Sequence, residues 1–223
     1  MKKTLFLSAF FCSTILLTHA QQIDTSYQST YYGQKVSLFR LLPDTKGEII
    51  FLGNSITDIG EWAEIWQNPK VKNRGISGDN TFGVLARLDE VIASKPEKVF
   101  LMIGINDIAR NTPDSVIVGN IIKIIETIQA ASPKTKLIVQ SILPTNDAFT
   151  EFKRHQHKDA HIRVVNTALR NYSQQHQLIF VDLYPLFLDA SGKLDERYTN
   201  DGLHINGAGY MLWRDTLRKL KLL

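Results

Sequence analysis

Five short runs of apolar residues, rich in Val and Ile, alternate along this chain with longer stretches of helical pattern. The runs lie at residues 49–52, 71–73, 99–103, 137–141 and 179–182. They are apolar on both faces, which is typical of parallel strands that are buried from both sides. The pattern therefore predicts five strands of a sheet with two covered faces.

The stretches that follow or separate these runs repeat apolar residues at helical spacing. They lie at residues 81–93, 115–131, 159–176 and 206–220. Alternating strands and helices favour a parallel sheet, and right-handed crossovers place the helices on both faces. We expect an α/β protein, a three-layer α/β/α sandwich around a five-stranded parallel sheet.

Residues 1–20 have the composition of a secretory signal peptide. Lys2 and Lys3 form a basic start, residues 5–17 are almost wholly apolar, and Ala20 is a small residue of the kind that precedes cleavage. The apolar segment is too short for a permanent transmembrane helix. We therefore expect cleavage after Ala20 and export, either to the periplasm or out of the cell. The alternatives are an N-terminal core helix and a membrane anchor.

The chain expected after cleavage, residues 21–223, fits a single domain of ~200 residues and contains no cysteine. Cys12 lies in the signal segment, and the bulky Phe11 before it disfavours lipid attachment. Removing Lys2 and Lys3 lowers the formal charge from +4 to +2, and the remaining acidic and basic residues are mixed. We expect no nucleic-acid partner and no stable membrane anchor after cleavage.

Three residues that are candidates for a catalytic site follow the first three predicted strands: Ser55, Gly78 and Asn106. The carboxyl ends of parallel strands meet at one edge of the sheet, where open α/β sheets bind ligands. Asp201 and His204 precede the last predicted helix, which can bring them to the same edge. The spacing thus predicts that all five residues lie together.

A serine hydroxyl is a poor nucleophile until a base takes its proton, and histidine suits this task because its pKa is near neutrality. We predict that Ser55 is the nucleophile, that His204 is the base and that Asp201 orients His204. The ordinary alternative for the last two residues is an Asp-Gly turn with a capping histidine.

Acyl transfer also needs hydrogen-bond donors for the developing oxyanion. The candidates are the backbone N–H groups of Ser55 and Gly78 and the side-chain amide of Asn106. The ordinary alternatives are a helix-entry turn at Gly78 and an Asx-turn or helix cap at Asn106.

These residues fall into four sequence blocks: residues 53–57, the segment around Gly78, residues 104–107 and residues 201–204. With the blocks in this order, the chain resembles the SGNH, or GDSL-like, hydrolase superfamily of esterases and lipases. Within it, the chain is most similar to the branch of the platelet-activating-factor acetylhydrolase catalytic subunits and many exported bacterial acetylesterases. The resemblance implies a flavodoxin-like fold, a carboxylic ester hydrolase that needs no metal or other cofactor, and the residue roles given above.

One residue departs from the pattern of that family. Asn54 stands where the first block usually has Asp. An asparagine can still bind backbone groups, but it carries no negative charge. We expect it to change the electrostatics of the loop, and with them the pH optimum, without abolishing activity.

The expected substrate is a small-molecule or glycan ester with a small acyl group, above all acetylated carbohydrate. No lid-like insertion or extended apolar loop is evident, and the resemblance includes exported bacterial esterases. One alternative is a lipid or thioester hydrolase with the same catalytic residues. Another is a non-catalytic glycan-binding module on the same scaffold, against which the presence of Ser55 and His204 argues.

Two further groups of residues have more than one interpretation. Three histidines cluster near the start of the predicted helix 159–176: His155, His157 and His161. An exposed polar loop is preferred over a metal site there, and its position after the fourth strand can bring it beside the substrate. Three aromatic residues near the first two blocks could line an acyl or sugar pocket, although core packing is preferred for at least one of them. These are Trp62, Trp66 and Phe82.

Overall fold

The computed structural model describes residues 23–223, so the predicted signal peptide and its cleavage site lie outside the described residues. Five parallel strands form one sheet in the order β2-β1-β3-β4-β5. The strands are β1 (Ile49–Gly53), β2 (Val71–Gly75), β3 (Lys98–Met102), β4 (Lys136–Gln140) and β5 (Ile179–Val181). This is the flavodoxin-like strand order. All five predicted strands are confirmed, with ends shifted by one or two residues.

The described residues contain nine α-helices and three short 3₁₀ helices. The α-helices are α1 (Thr30–Leu41), α2 (Ser55–Asp58), α3 (Trp62–Ile65), α4 (Thr81–Ala86), α5 (Leu88–Ile92), α6 (Ile105–Ala109), α7 (Asp114–Ala131), α8 (Asp159–Gln175) and α9 (Gly207–Lys219). The 3₁₀ helices are Lys153–His155, Tyr184–Phe187 and Glu196–Tyr198. Within residues 23–223, no helix combines the length and the apolar character needed to cross a bilayer.

The two faces of the sheet carry separate apolar cores, as a three-layer sandwich requires. On β1, Ile50 and Leu52 pack with buried residues of α4, α5, α7 and α8. The alternating residues Ile49 and Phe51 pack on the other face with side chains of α3 and α9. Successive strand residues point to opposite faces, so β1 is buried on both sides. The predicted α/β/α architecture is confirmed.

The predicted helix 81–93 is wrong as a single element, because the chain leaves the helical conformation at Arg87 (φ −126°, ψ 19°). The break lets the Arg87 guanidinium turn into the protein and bind the backbone carbonyls of Gly53 and Arg74. Helix α1 was not predicted. Its residues Tyr32, Val36 and Phe39 pack with Ile76 in a small third core.

Core packing holds for Trp62, one of the three aromatic residues considered for a substrate pocket. Its ring stacks on Phe51 with centroids 3.9 Å apart, and its indole N–H donates to the Thr57 carbonyl at 2.7 Å. Trp66 and Phe82 are half-buried. Trp62 is therefore part of the support beneath α2 and does not form a pocket wall.

Candidate active site

Ser55 is the first residue of α2, directly after β1. The Asn54 side chain caps this short helix by accepting a hydrogen bond from the Ile56 N–H at 3.0 Å, so it makes the local contact expected of it. The helix lies tightly against β2, since a Cβ on Gly75 would stand only 2.1 Å from the Asp58 nitrogen. In addition, the Tyr210 hydroxyl of α9 donates to the Ile56 carbonyl at 2.7 Å. Ser55 is thus held on a turn with support from both sides.

Ser55, His204 and Asp201 form one chain of hydrogen bonds. The Ser55 Oγ lies 2.8 Å from His204 Nε2, and His204 Nδ1 lies 2.8 Å from Asp201 Oδ2. A carboxylate can only accept, so Nδ1 carries a proton in this contact, and Nε2 of the neutral ring is free to accept from the serine hydroxyl. This is the arrangement in which histidine can act as a base toward serine.

The Asp201 carboxylate is fixed by backbone groups as well as by His204. Its Oδ1 accepts from the N–H groups of Leu203 and His204, at 2.9 and 2.8 Å. Burial acts to raise the pKa of Asp201, but the hydrogen bonds from Leu203 and His204 outweigh it and the pKa lies below its usual value. Asp201 is therefore ionised at neutral pH.

Thr199 organises the turn between Asp201 and His204. Its hydroxyl accepts from the Gly202 N–H at 2.9 Å and donates to the His204 carbonyl at 2.7 Å. The sequence reasoning missed Thr199, because a single threonine before an Asp-Gly turn carries no signal of its own.

The three predicted oxyanion donors follow β1, β2 and β3 at the same edge of the sheet: Ser55 begins α2, Gly78 lies in the loop before α4, and Asn106 lies in the first turn of α6. Gly78 has a φ of +81° in open space, so the backbone conformation rather than crowding favours glycine there. Among the described residues, the N–H groups of Ser55 and Gly78 have no acceptor. Asn106 donates from Nδ2 to the Asp79 carbonyl at 2.8 Å, which uses one of its two amide hydrogens.

A buried network of charges lies beneath the Ser55 and Gly78 loops. Arg87 is completely buried and binds Asp79 at 2.9 Å and Glu90 at 3.0 Å. Arg74 binds the second oxygen of Glu90 at 3.0 Å. Burial raises the pKa of Asp79 to about 6 against the opposing charge of Arg87, and it also raises the pKa of Glu90. Through its carbonyl contacts, Arg87 ties the end of β1 to the end of β2.

The loop between β4 and α8 lies beside this site, as its position after the fourth strand allowed. The Phe152 ring meets the His204 ring edge-on with centroids 4.8 Å apart. His155 Nε2 lies 3.0 Å from Asn106 Oδ1. The interpretation as an exposed polar loop is therefore wrong for His155.

His157 and His161 fit the exposed interpretation, since each lies at the surface beside a single carboxylate. In the part of the chain that the structure describes, no group of three or more His, Cys, Asp or Glu side chains is arranged to hold a metal ion.

Comparison with known proteins identifies the family of this chain. Residues 51–212 match the model of the GDSL-like lipase/acylhydrolase family. The chain belongs to this family. It is a carboxylic ester hydrolase, which removes the alternative of a non-catalytic module.

Relatives and solved structures extend the match over most of the chain. The platelet-activating factor acetylhydrolase IB subunit alpha1 of Rattus norvegicus is 27% identical over 173 residues, which cover 75% of this chain and 72% of that protein. A GDSL-like lipase from Bacteroides thetaiotaomicron is 26% identical with a TM-score of 0.74, over 86% of this chain and 98% of that chain. An acetylxylan esterase from Geobacillus stearothermophilus, 19% identical over 81% of this chain and 98% of its own, shares the fold with a TM-score of 0.65.

Proposed function

We propose that this chain is a serine esterase that hydrolyses small acyl esters, chiefly acetyl esters of carbohydrates, through an acyl intermediate on Ser55. The observation that carries the proposal is the hydrogen-bonded chain from Ser55 through His204 to Asp201. In this series of hydrogen bonds, the proton lies on His204 Nδ1 because the Asp201 carboxylate can only accept, and Nε2 is left to accept from the Ser55 hydroxyl.

In the first half of the reaction, His204 Nε2 takes the Ser55 proton while Oγ attacks the ester carbonyl. The oxyanion is bound by the N–H groups of Ser55 and Gly78 and by the second amide hydrogen of Asn106. His204 then gives its proton to the leaving alcohol as the bond to that oxygen breaks. In the second half, water attacks the acyl-Ser55 ester with His204 as base, which releases the acid and restores the hydroxyl.

A small acyl group is favoured by the limited access to Ser55, which is only 9% exposed. Three broad surface depressions of about 550, 420 and 410 Å³ lie along α8 and at the N-terminal segment, and Ser55 lines none of them. The relatives named acetylhydrolase support the same preference.

A carbohydrate leaving group is favoured by the exposed aromatic ring of Tyr31, near the Gly78 loop. The Tyr31 hydroxyl donates to the largely buried Asp58 at 2.8 Å, and Asp58 also binds Lys35 and accepts from the N–H and hydroxyl of Ser77, beside Gly78. An exposed aromatic ring fixed in this way can pack against the apolar face of a sugar. The curated relatives give a second candidate, an acetylated phospholipid.

The acyl chain and the alcohol are tested separately. The mature protein and Ser55→Ala are assayed on p-nitrophenyl esters from acetate to decanoate, and then on acetylated xylo-oligosaccharides and an acetylated phospholipid. We expect kcat/KM to fall steeply with chain length, the sugar ester to be preferred, and Ser55→Ala to be inactive. Faster turnover of long chains or of the phospholipid would contradict the proposed substrate. Full activity in Ser55→Ala would contradict the mechanism.

We also propose that the protein is exported after cleavage behind Ala20. The support is the basic start and the apolar run of residues 1–20. The test is N-terminal sequencing of the protein recovered from its native cells after fractionation. Gln21 as the first residue in the periplasmic or extracellular fraction is expected, whereas an intact N-terminus in the cytoplasm would contradict export.

A further inference from the structure

The orientation of the Asn106 amide follows from its two neighbours. The Asp79 carbonyl can only accept a hydrogen bond, so the amide end that lies 2.8 Å from it must be Nδ2. The Oδ1 end then faces His155 Nε2 at 3.0 Å. An amide oxygen can only accept, so the histidine donates an Nε2–H to it.

The other ring nitrogen of His155 indicates the charge of the ring. His155 Nδ1 is buried and has no hydrogen-bond partner among the described residues. A proton on Nδ1 would be a buried donor without an acceptor, which is costly. Burial is the main cause that lowers the pKa of His155 to about 4, and the charges of His204, Lys158 and Arg154 contribute less. The charge of Asp201 opposes the shift. His155 is thus neutral, with its single proton on Nε2.

Local contacts hold the His155 backbone in place. His155 ends the 3₁₀ helix Lys153–His155, and its carbonyl accepts from the Thr145 hydroxyl at 3.2 Å. The ends of the loop are joined by Lys193, which binds Asp147 and Asp159 at 2.5 and 2.6 Å. The imidazole is therefore presented to Asn106 by an anchored segment.

We infer that His155 is a positioning residue of the oxyanion hole, which locks the Asn106 amide with its free N–H toward the reacting carbonyl. The inference rests on the proposed function, because Asn106 matters as an oxyanion donor. Without the histidine, Asn106 Oδ1 has no donor, and only the Asp79 carbonyl still opposes rotation of the amide, which would exchange an attractive N–H for a repulsive oxygen. His155 acts through Asn106 and does not itself contact the reacting atoms.

Two substitutions of His155 distinguish the effect of the Nε2–H donor from the effect of the ring volume. His155→Phe keeps the ring volume and removes the donor, and we expect kcat to fall about tenfold, the effect of one net hydrogen bond, with KM nearly unchanged. His155→Gln places an amide N–H close to the position of Nε2, and we expect it to retain activity within about threefold of wild type. His176→Phe is the matched control, since that exposed histidine lies at the far end of α8 stacked on Tyr172, and it should leave activity unchanged.

A double-mutant cycle distinguishes positioning from general support of the fold. In an Asn106→Ala background, His155→Phe should change the rate by less than about twofold, because the group it orients is gone. A full tenfold loss in that background would overturn the inference. So would equal activity of His155→Phe and wild type, or a His155→Gln variant as impaired as His155→Phe.

The same cycle is measured on phosphorylation of Ser55 by diisopropyl fluorophosphate, in which Oγ bonds to phosphorus and fluoride leaves; this reaction uses the oxyanion hole but not the natural substrate. If acetyl esters are not hydrolysed while Ser55 still reacts, the proposed function fails and the phosphorylation rates still decide the role of His155.

Nitrogen-15 NMR of labelled histidine gives a readout without activity. A neutral Nε2–H tautomer for His155 at neutral pH, perturbed by Asn106→Ala, is expected. An Nδ1–H tautomer or an imidazolium would overturn the inference.

Discussion

Arg87 is the fully buried cation beneath the Ser55 and Gly78 loops, and its replacement by methionine tests how strongly the network holds them. Methionine fills a similar volume but removes the charge from Asp79 and Glu90 and the donors from two backbone carbonyls. Breaking a buried ion pair costs about 3–5 kcal/mol, and each orphaned carbonyl adds to this. Because Arg74 still binds Glu90 and the carboxylates can take up protons, we expect a loss of about 4 kcal/mol in the free energy of unfolding.

The assay is urea unfolding followed by the fluorescence of the buried tryptophans. Arg40→Met is the matched control, since Arg40 makes an ion pair of similar length, 2.8 Å, with Asp89 at the exposed surface. That variant should lose far less stability than Arg87→Met, because solvent screens the exposed pair. Arg87→Lys keeps the charge without the forked donors, so its loss should lie between the two.

The pH dependence gives the reasoning a second, independent check. Burial already raises the pKa values of Asp79 and Glu90, and removing Arg87 raises them further. The loss caused by Arg87→Met should therefore shrink between about pH 7 and about pH 5, as the two carboxylates become neutral. Equal losses for Arg87→Met and Arg40→Met, or an Arg87→Met loss that does not change with pH, would refute this account of the network.

Three further predictions concern the site and its support. Asp201→Asn should lower kcat by about 10³–10⁴. The two backbone N–H groups hold the amide oxygen, so the NH₂ faces His204 Nδ1 and favours the tautomer that cannot accept the serine proton. A wild-type kcat would contradict this. Gly78→Ala should cost about 1 kcal/mol of stability, measured by unfolding, because alanine is strained at this positive φ. In steady-state kinetics it should lower kcat by a larger factor than it changes KM. Unchanged stability would count against the strain. Burial raises the pKa values of both Asp79 and Asp107 to about 6. Their protonation therefore stabilises the folded state, fully below about pH 4, and this stabilisation is lost as the pH rises through 6. His155, whose pKa is lowered to about 4, titrates in the opposite sense over this range, so the test is the difference between two proteins. In urea titrations the stability of Asp107→Asn should change less favourably than that of wild type from about pH 7 to about pH 5, and equal pH dependence of the two proteins would contradict the assignment.

The sheet could be predicted from the sequence because its strands are buried on both faces. Each is a short Val- and Ile-rich run that cannot be exposed on either side, and this property is visible without tertiary information. Their order along the chain then placed Ser55, Gly78 and Asn106 at one edge. Most of the fold could therefore be predicted from the two-sided burial of the strands and their order along the chain.

The elements that the sequence did not reveal depend on contacts between distant residues. At the break, Arg87 binds carbonyls at the ends of β1 and β2, and local helical periodicity carries no information on such contacts. The same holds for His155, whose partner Asn106 lies 49 residues earlier in the chain. A histidine in a polar loop has the same local signature whether it is exposed or bound to the site.

The formation of an acyl-enzyme on Ser55 tests the central claim most directly. The mature protein is mixed with p-nitrophenyl acetate, quenched in acid at early times, and digested for peptide mass analysis. The account predicts one acetyl group on the peptide that contains Ser55, formed at a rate that matches the first release of p-nitrophenol, and no label in Ser55→Ala. Acetylation at another residue, or release of p-nitrophenol without any acyl-Ser55 at any time, would contradict it.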